Sequence, residues 1–533
     1  MKTKKTLLLN LLALAFFFKT NAQTKYQILI DSMYAYDAHK VVNGTGYVFG
    51  GVSQHPLTGP TNRNSYVVRT DLLGNTLWTI SWVGNTGWAG CYGQYQNDLC
   101  PMSDGGVISC GGGSGICSDT TTGGNIARID GNGNIKWAKY CSISSDPYPC
   151  IQSSDGNIVF GGYISGGGYK TPKDAFITKL DSANGDTIWS KRYGGAGNVD
   201  WFYHILQTAD GGYLAAGKTN SFGQGGLDIY LVKTDANGNL MWSKTYGTAT
   251  LDEIAFGHCL QPTSDGGYIL TGTGGGGSGG TGSQSAQGIF LLKIDALGNM
   301  KWSKYYAGQE AHGVKQTPDK GYIFSGDAYV GPPLYQGDVI LVKTDSTGTI
   351  QWSKSYGSTS DEQGLILESA NDGGFVVGGT SRGFVGTGGL YIIKTDSNGN
   401  SGCNESNLTI ASSAAPFIMA NAATQVSKGT NTISYPTIFT RVGATTTLCA
   451  TAEINHLTVE KNNQLTVYPN PSNEQITIRS TTEIGLITIY NLLGEIALQV
   501  KNNNVQAQID ISKLATGVYI IEVNGKYVKL NKE

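Results

Sequence analysis

Charge is scarce in this 533-residue chain, where Asp, Glu, Lys and Arg together make up 14%. No basic run or patch breaks that pattern, so nucleic acid is not an expected partner. Beyond the N-terminal region, no apolar run approaches the roughly 20 residues a spanning helix needs, so no transmembrane segment is expected. Nine cysteines are present, but none form C-x-x-C and no histidine follows them at zinc-finger spacing. No metal and no cofactor are therefore expected. Nor is a nucleophile elbow, a phosphate-binding loop or an H-E-x-x-H helix expected, and no catalytic residue is assigned.

Glycine, in contrast, is abundant: 76 residues, about twice the usual ~7%. Many tight turns between short strands account for such content, because glycine reaches positive φ without a steric cost. Residues 1–22 read as a secretory signal: Lys2, Lys4 and Lys5, then an apolar run from Leu7 to Phe18, then Thr20-Asn21-Ala22 as a cleavage site. That leader includes Lys19, and its loss leaves 33 basic residues against 39 acidic ones, a net charge of −6. An exported chain meets oxidising conditions, so disulfides are expected. Six cysteines fall between Cys91 and Cys150, Cys403 and Cys449 are placed to close the segment after the repeats, and Cys259 is the candidate free thiol.

A motif recurs through the middle of the chain. Asp follows an apolar strand at Asp71, Asp130, Asp181, Asp235, Asp295, Asp345 and Asp396. Glycine comes three residues later (four after Asp181), and six copies continue to Trp78, Trp137, Trp189, Trp242, Trp302 and Trp352. A second turn alternates with the first, at Asp104-Gly105-Gly106, Asp155-Gly156-Asn157, Asp210-Gly211-Gly212, Asp265-Gly266-Gly267, Asp319-Lys320-Gly321 and Asp372-Gly373-Gly374. Asn43-Gly44-Thr45-Gly46 is a degenerate first copy. Two hairpin turns per ~50 residues describe four short antiparallel strands, A to D, in each unit. The fold class is therefore all-β: a seven-bladed β-propeller over 23–403, a linker over 404–459 and a small C-terminal β-sandwich over 460–533. The last unit lacks its Trp, having Ser401-Gly402-Cys403 there, so Tyr26 to Asp31 is expected to pair with Leu390 to Lys394 and close the ring.

The repeated Trp reads as packing between blades. The Asp235-Ala236-Asn237-Gly238-Asn239 stretch has calcium-type oxygens but lacks the remaining ligands, so turn capping is the adopted reading. His39, His204, His258 and His312 fall on or beside strands A. Three imidazoles round an axis suit a metal, but unequal spacing to the next turn favours hydrated channel histidines. The D-to-A and B-to-C loops share one face, which collects aromatics and acids. The candidate ligand-binding residues there are Trp88, Tyr92, Trp201, Tyr203, Asp252, Glu253, Asp361 and Glu362. Aromatic faces stack on sugars and acids accept their hydroxyl hydrogens, so a binding or adhesion module for a glycan or a surface protein is expected. The alternative is a carbohydrate-active enzyme using those acids.

The tail contains Val467-Tyr468-Pro469-Asn470-Pro471, then Ile487 to Glu495 with Tyr490, Asn491 and Gly494, then Leu514 to Val523 with Gly517 and Tyr519. These motifs, in this order at the chain end, resemble the type A sorting domain of type IX secretion cargo. The Gly-rich repeats also resemble propellers joined to that domain in Bacteroidota. The resemblance implies the type IX machinery as a partner and a mature protein that is secreted or attached to the outer-membrane surface.

Overall fold

The computed structural model describes residues 24–31, 33–40, 45–54, 63–82, 98–111, 125–141, 145–165, 173–195, 199–249, 252, 254, 258–274, 288–329, 337–358, 361–381, 389–428, 432–434, 445–452, 465–480, 483–491, 496–524 and 526–532. The leader expected over 1–22 lies outside them. Among the described residues no helix is long and apolar enough to cross a membrane. Two compact units are present, 1–452 and 453–533.

The first unit is the seven-bladed β-propeller. Blade 1 consists of Met33–Lys40, Gly46–Gln54, Arg63–Asp71 and Thr76–Trp82, hydrogen-bonded in that order. Blades 2 to 6 repeat the pattern up to Tyr356, and the strands A contact one another in sequence round to blade 1. Strands B and C are buried along their length: in blade 5 every residue of Tyr268–Gly274 and Gly288–Ile294 is buried.

The C-to-D turns explain the first motif. In blade 4, Asp235 Oδ1 accepts N–H bonds from Asn237 (2.9 Å) and Asn239 (2.7 Å), while Gly238 has φ +74°. The carboxylate thus caps its own turn. The Trp of each blade packs on the C-to-D turn of the next. A Cβ added at Gly238 would lie 2.8 Å from Trp189, and one at Gly399 2.7 Å from Trp352. A tyrosine four residues beyond the Trp completes the joint: Tyr193 Oη donates to Gly238 O at 2.6 Å and Tyr356 Oη to Gly399 O at 2.5 Å.

The second turn has its own partner. A strand-C cation, buried in every case but Arg128, meets the A-to-B turn Asp in six blades, as in Lys233–Asp210 (2.8 Å) and Lys343–Asp319 (2.7 Å). Blade 1 has no such Asp. There Arg69 turns to Thr45 Oγ1 and to the carbonyls of Gly105 and Gly131 in blade 2.

Blade 7 is completed by the N-terminal strand. Thr24–Asp31 lies antiparallel beside Gly389–Thr395, with Tyr26 opposite Lys394 and Asp31 opposite Gly389. In the other blades the strand-C cation faces the repeated Trp, as Lys343 faces Trp352, so Tyr26 occupies the register position of the missing Trp.

The segment expected as a linker is a girdle. Glu405–Asn407 pairs with strand D of blade 6, Ser412–Ala414 with blade 5, Ile418–Asn421 with blade 4, Gln425–Lys428 with blade 3 and Thr432–Ser434 with blade 2. Thr445–Ala452 then pairs with Thr24–Asp31 on blade 7. Each is a fifth, outermost strand that covers an otherwise open sheet edge. The contact repeats every seven residues: Ser353, Ser303 and Ser243, each following a Trp, donate Oγ–H to the carbonyls of Leu408, Ala415 and Ala422 and accept their N–H groups through their own carbonyls. Phe417 is buried edge-to-face against Phe290 at 5.2 Å.

Cys100, Cys110, Cys150 and Cys259 are buried and form no disulfide, whereas Cys403 is disulfide-bonded. The second unit is a β-sandwich with a three-stranded sheet facing a four-stranded one. Ile476, Ile478, Ile489, Ile509, Ile521 and Leu530 fill its core.

Candidate functional site

The loop face is assembled from the starts of strands A and C. Asp252, expected at the ligand surface, is fully buried. Its Oδ2 accepts the Thr248 N–H (2.7 Å) and hydroxyl (2.6 Å), and its Oδ1 accepts the Tyr305 hydroxyl at 3.2 Å. Glu362 is equally buried: it accepts the Ser358 N–H (2.9 Å) and the hydroxyls of Ser358 (2.8 Å) and Ser381 (2.7 Å). Asp200 repeats the arrangement with Gly195 N–H, Thr219 and Ser221. Each carboxylate holds its own D-to-A loop. Asp361 is half-buried and accepts the Gly337 N–H at 3.1 Å. Trp88, Tyr92 and Glu253 lie outside the described residues.

Each buried carboxylate has an acidic neighbour from strand C of the preceding blade: Asp174 by Asp200, Asp228 by Asp252, Asp338 by Glu362. These neighbours sit against the glycine of a repeated Tyr-Gly pair; a Cβ at Gly247 would lie 1.8 Å from Asp228 Oδ1, and one at Gly357 2.3 Å from Asp338 Oδ1. That Tyr-Gly repeat is the sequence signal that points to them. Burial, opposed by the Gln224 N–H and reinforced by the Asp252 charge, pushes Asp228 up to about 6. Burial and the Glu362 charge do the same to Asp338, also to about 6, against a bond from Ser355.

A pH dependence follows. Carboxyls raised in the folded state stabilise most below their unfolded value near 4 and lose that contribution as pH rises through 6. Asp210 acts oppositely: bonds from Lys233 and Thr208 hold it down at about 2, so its contribution is lost as pH falls through that value. Stability is expected to peak near pH 4, decline between pH 4 and pH 6 and level off above that. Asp228→Asn keeps an acceptor for Gln224 N–H (2.9 Å to Asp228) and removes the buried charge. It is expected to raise the unfolding free energy at pH 8 by roughly 1–3 kcal/mol and to flatten the decline. Urea titrations at pH 4 and pH 8 check this; an unchanged difference between them in the variant contradicts it.

Trp201 and Tyr203 belong to an aromatic cluster spanning blades 3 and 4. Trp201 stacks on Tyr163 of blade 3 at 4.6 Å, with planes 18° apart, and meets Tyr203 edge-on at 5.9 Å. Tyr203 stands where the register of strand A slips between Phe202 and His204, a bulge that re-aims its side chain. Lys173 Nζ sits 4.6 Å over Tyr163 and 4.9 Å over Trp201, and Lys218 Nζ 4.7 Å over Trp201. Such cation–π contacts hold both ammonium groups beside the rings. Trp201 Nε1 is buried and has no hydrogen-bond partner among the described residues.

Towards the axis, His204 and His258 approach to 6.0 Å between ring centroids, and His258 Nδ1 lies 3.2 Å from Glu368, which also pairs with Lys315. His312 lies 3.6 Å from both Glu310 and Asp327. Carboxylates thus face the imidazoles of His258 and His312.

Two stretches fit catalytic patterns by letter, contrary to expectation. Gly212 to Thr219 spells G-x-x-x-x-G-K-T, but Tyr213–Thr219 is a strand paired on both sides, so its amides ladder rather than cradle a phosphate. Gly276 to Gly280 spells G-x-S-x-G and lies outside the described residues.

In the second unit, Tyr490 Oη donates to Glu522 at 2.6 Å, Tyr519 Oη to Ala515 O at 2.9 Å, and Asn470 Oδ1 accepts the Asn531 N–H at 2.8 Å. Tyr468 is exposed, with Arg479 over its ring at 5.7 Å. Pro469 and Pro471 both follow cis bonds. Asn491 and Gly517 sit on adjoining strands of this sheet, and Gly494 lies outside the described residues.

Residues 466–533 match the secretion system C-terminal sorting domain, so the chain carries the tail that directs type IX export to the cell surface or the extracellular space. No curated protein matches the chain. Among solved structures it is similar to the Dos1 propeller, at 8% identity over 69% of this chain and 94% of that one, with a TM-score of 0.40. It is also similar to PorZ, a surface component of the type IX secretion system of Porphyromonas gingivalis (11% identity, 88% of this chain and 64% of that one, TM-score 0.36). An exo-beta-1,3-galactanase from Phanerochaete chrysosporium is a third (12%, 76% and 95%, TM-score 0.32). Likenesses this distant carry no argument about ligand or activity.

Proposed function

We propose that the exported propeller is a binding or adhesion module, engaging a glycan or a surface protein through its loop face around Trp201 and Tyr203. The supporting observation is where the acids of that face are used. Glycoside hydrolysis needs a single pair of carboxyls, about 5 to 9.5 Å apart, open to substrate. Asp200, Asp252 and Glu362 instead repeat at three blade junctions, buried and bonded to their own loops. The half-buried rings of Tyr163 and Trp201, backed by buried Tyr203 and flanked by two lysine ammonium groups, offer stacking faces and donors to an oxygen-rich, acidic ligand.

The test is an array of acidic and neutral glycans and of surface proteins probed with the mature chain, with a parallel hydrolysis assay. Binding without turnover is expected. Trp201→Ala is expected to weaken it tenfold or more, a loss of about 1.4 kcal/mol, with the thermal midpoint kept. Turnover of any polysaccharide, abolished by changing one acid to Ala, would overturn the reading in favour of a carbohydrate-active enzyme.

A further inference from the structure

Three of the buried thiols meet between blades 2 and 3. Asp98 and Cys100 lie on strand A of blade 2, Asp98–Pro101, two residues apart and therefore on one face. Cys110, on Val107–Gly111, stands directly opposite Asp98 in the ladder. Strand A of blade 3, Ser145–Gln152, brings Cys150 to the same place. A carboxylate oxygen of Asp98 and the sulfurs of Cys110 and Cys150 all lie within 4.8 Å of one another. Cys100 packs in the same buried cluster as Cys110 and Cys150. Asp98 Oδ2 accepts the Cys150 N–H at 2.6 Å, which fixes the carboxylate across the blade junction. Met102, Ile108, Ile126 and Phe160 pack around the three thiols, while Asp98 is half-buried.

We propose that Asp98, Cys110 and Cys150, joined by Cys100, form a structural zinc site that staples blade 2 to blade 3. Zinc binds thiolate at about 2.3 Å and carboxylate at about 2.0–2.2 Å in a tetrahedron, which sets neighbouring ligand atoms roughly 3.5 to 4 Å apart. The ligand atoms of Asp98, Cys110 and Cys150, within 4.8 Å of one another, need only a small contraction to reach it. A hard cation such as calcium requires oxygen ligands throughout, and this donor set is mostly sulfur. Zinc is not redox-active, so binding exchanges protons only: each cysteine that ligates releases its thiol proton as its sulfur–zinc bond forms. The dication offsets two of the four negative charges of the thiolates and Asp98, which an apolar pocket would otherwise disfavour. Four ligands from the protein close the site, as in structural rather than catalytic zinc centres.

The mature chain, purified without chelator, is expected to carry about one zinc per molecule by elemental mass spectrometry. Replacing zinc by cobalt(II) is expected to give the intense visible bands of a tetrahedral thiolate site, with a sulfur-to-metal band in the near ultraviolet. Cys110→Ser combined with Cys150→Ser is expected to abolish both signals. Cys259→Ser removes a buried thiol outside the cluster and is expected to keep them, which separates site loss from a general effect of thiol removal. Wild-type chain that takes up neither zinc nor cobalt would overturn the proposal. So would a Cys110–Cys150 or Cys100–Cys150 disulfide detected by peptide mapping of the exported protein.

Discussion

A chain that begins at Ser32 is expected to lose several kcal/mol of stability and to populate an open ring. The removed strand, Thr24–Asp31, is sandwiched between two partners, six paired residues on Gly389–Thr395 and seven on Thr445–Ala452. Its side chains also bind across the closure. Buried Gln27 donates to Ser401 Oγ (2.9 Å) and Cys403 O (2.6 Å) and accepts from Tyr391 Oη (2.7 Å) and Asn404 (3.0 Å). Lys25 pairs with Asp396 at 3.0 Å, both largely buried. At about 1 kcal/mol net for each ladder bond, and more for each buried polar group left alone, the loss exceeds that of any single core substitution of moderate size. Gln27→Ala isolates the polar part. It removes the bonds to the Tyr391 hydroxyl, Ser401 and Cys403 and is expected to cost about 2 kcal/mol. Urea unfolding of both variants checks this; truncation that leaves the midpoint unchanged contradicts the closure.

The closure was legible because the repeat was strict enough to show what blade 7 lacked. Six Trp residues mark outer strands since each must pack on the positive-φ glycine of the next blade's turn. Their absence at Ser401-Gly402-Cys403 implied a strand from elsewhere. The girdle left no such trace. Its strands are three or four residues long in most copies, and they pair through backbone groups that every residue carries. What the sequence did hold was the partner, a serine after Trp242, Trp302 and Trp352, which looks like any polar edge residue until the carbonyl it donates to is known. The site was half legible for a different reason. Asp252 and Glu362 announce charge, but sequence does not show burial, and only the structure reveals the loop amides four residues back that each carboxylate holds. Trp201 and Tyr203 were visible as aromatics on a loop face. Their partners Tyr163 and Lys173 come from the neighbouring blade, a long-range pairing that no local pattern encodes.

The second large effect is expected on comparing a chain ending at Ala452 with one ending at Asn404. The first keeps the girdle and is expected to unfold like the full-length first unit. The second exposes the outer edges of blades 2 to 6 and the free side of Thr24–Asp31, and it loses the buried Ala415 and Phe417. Unpaired edges template association between chains, so aggregation and a loss of several kcal/mol are expected. The girdle also ties the last described strand of the first unit to its first, since Thr445–Ala452 lies on the strand that closes the ring. The measurement that bears on this most directly is hydrogen exchange of the intact chain, read at the amides of Leu408, Ala415 and Ala422, which donate to the carbonyls of Ser353, Ser303 and Ser243. Protection comparable to the strands D they cover is the expected result; exchange at the rate of an unstructured segment across 405–428 and 445–452 would contradict the account.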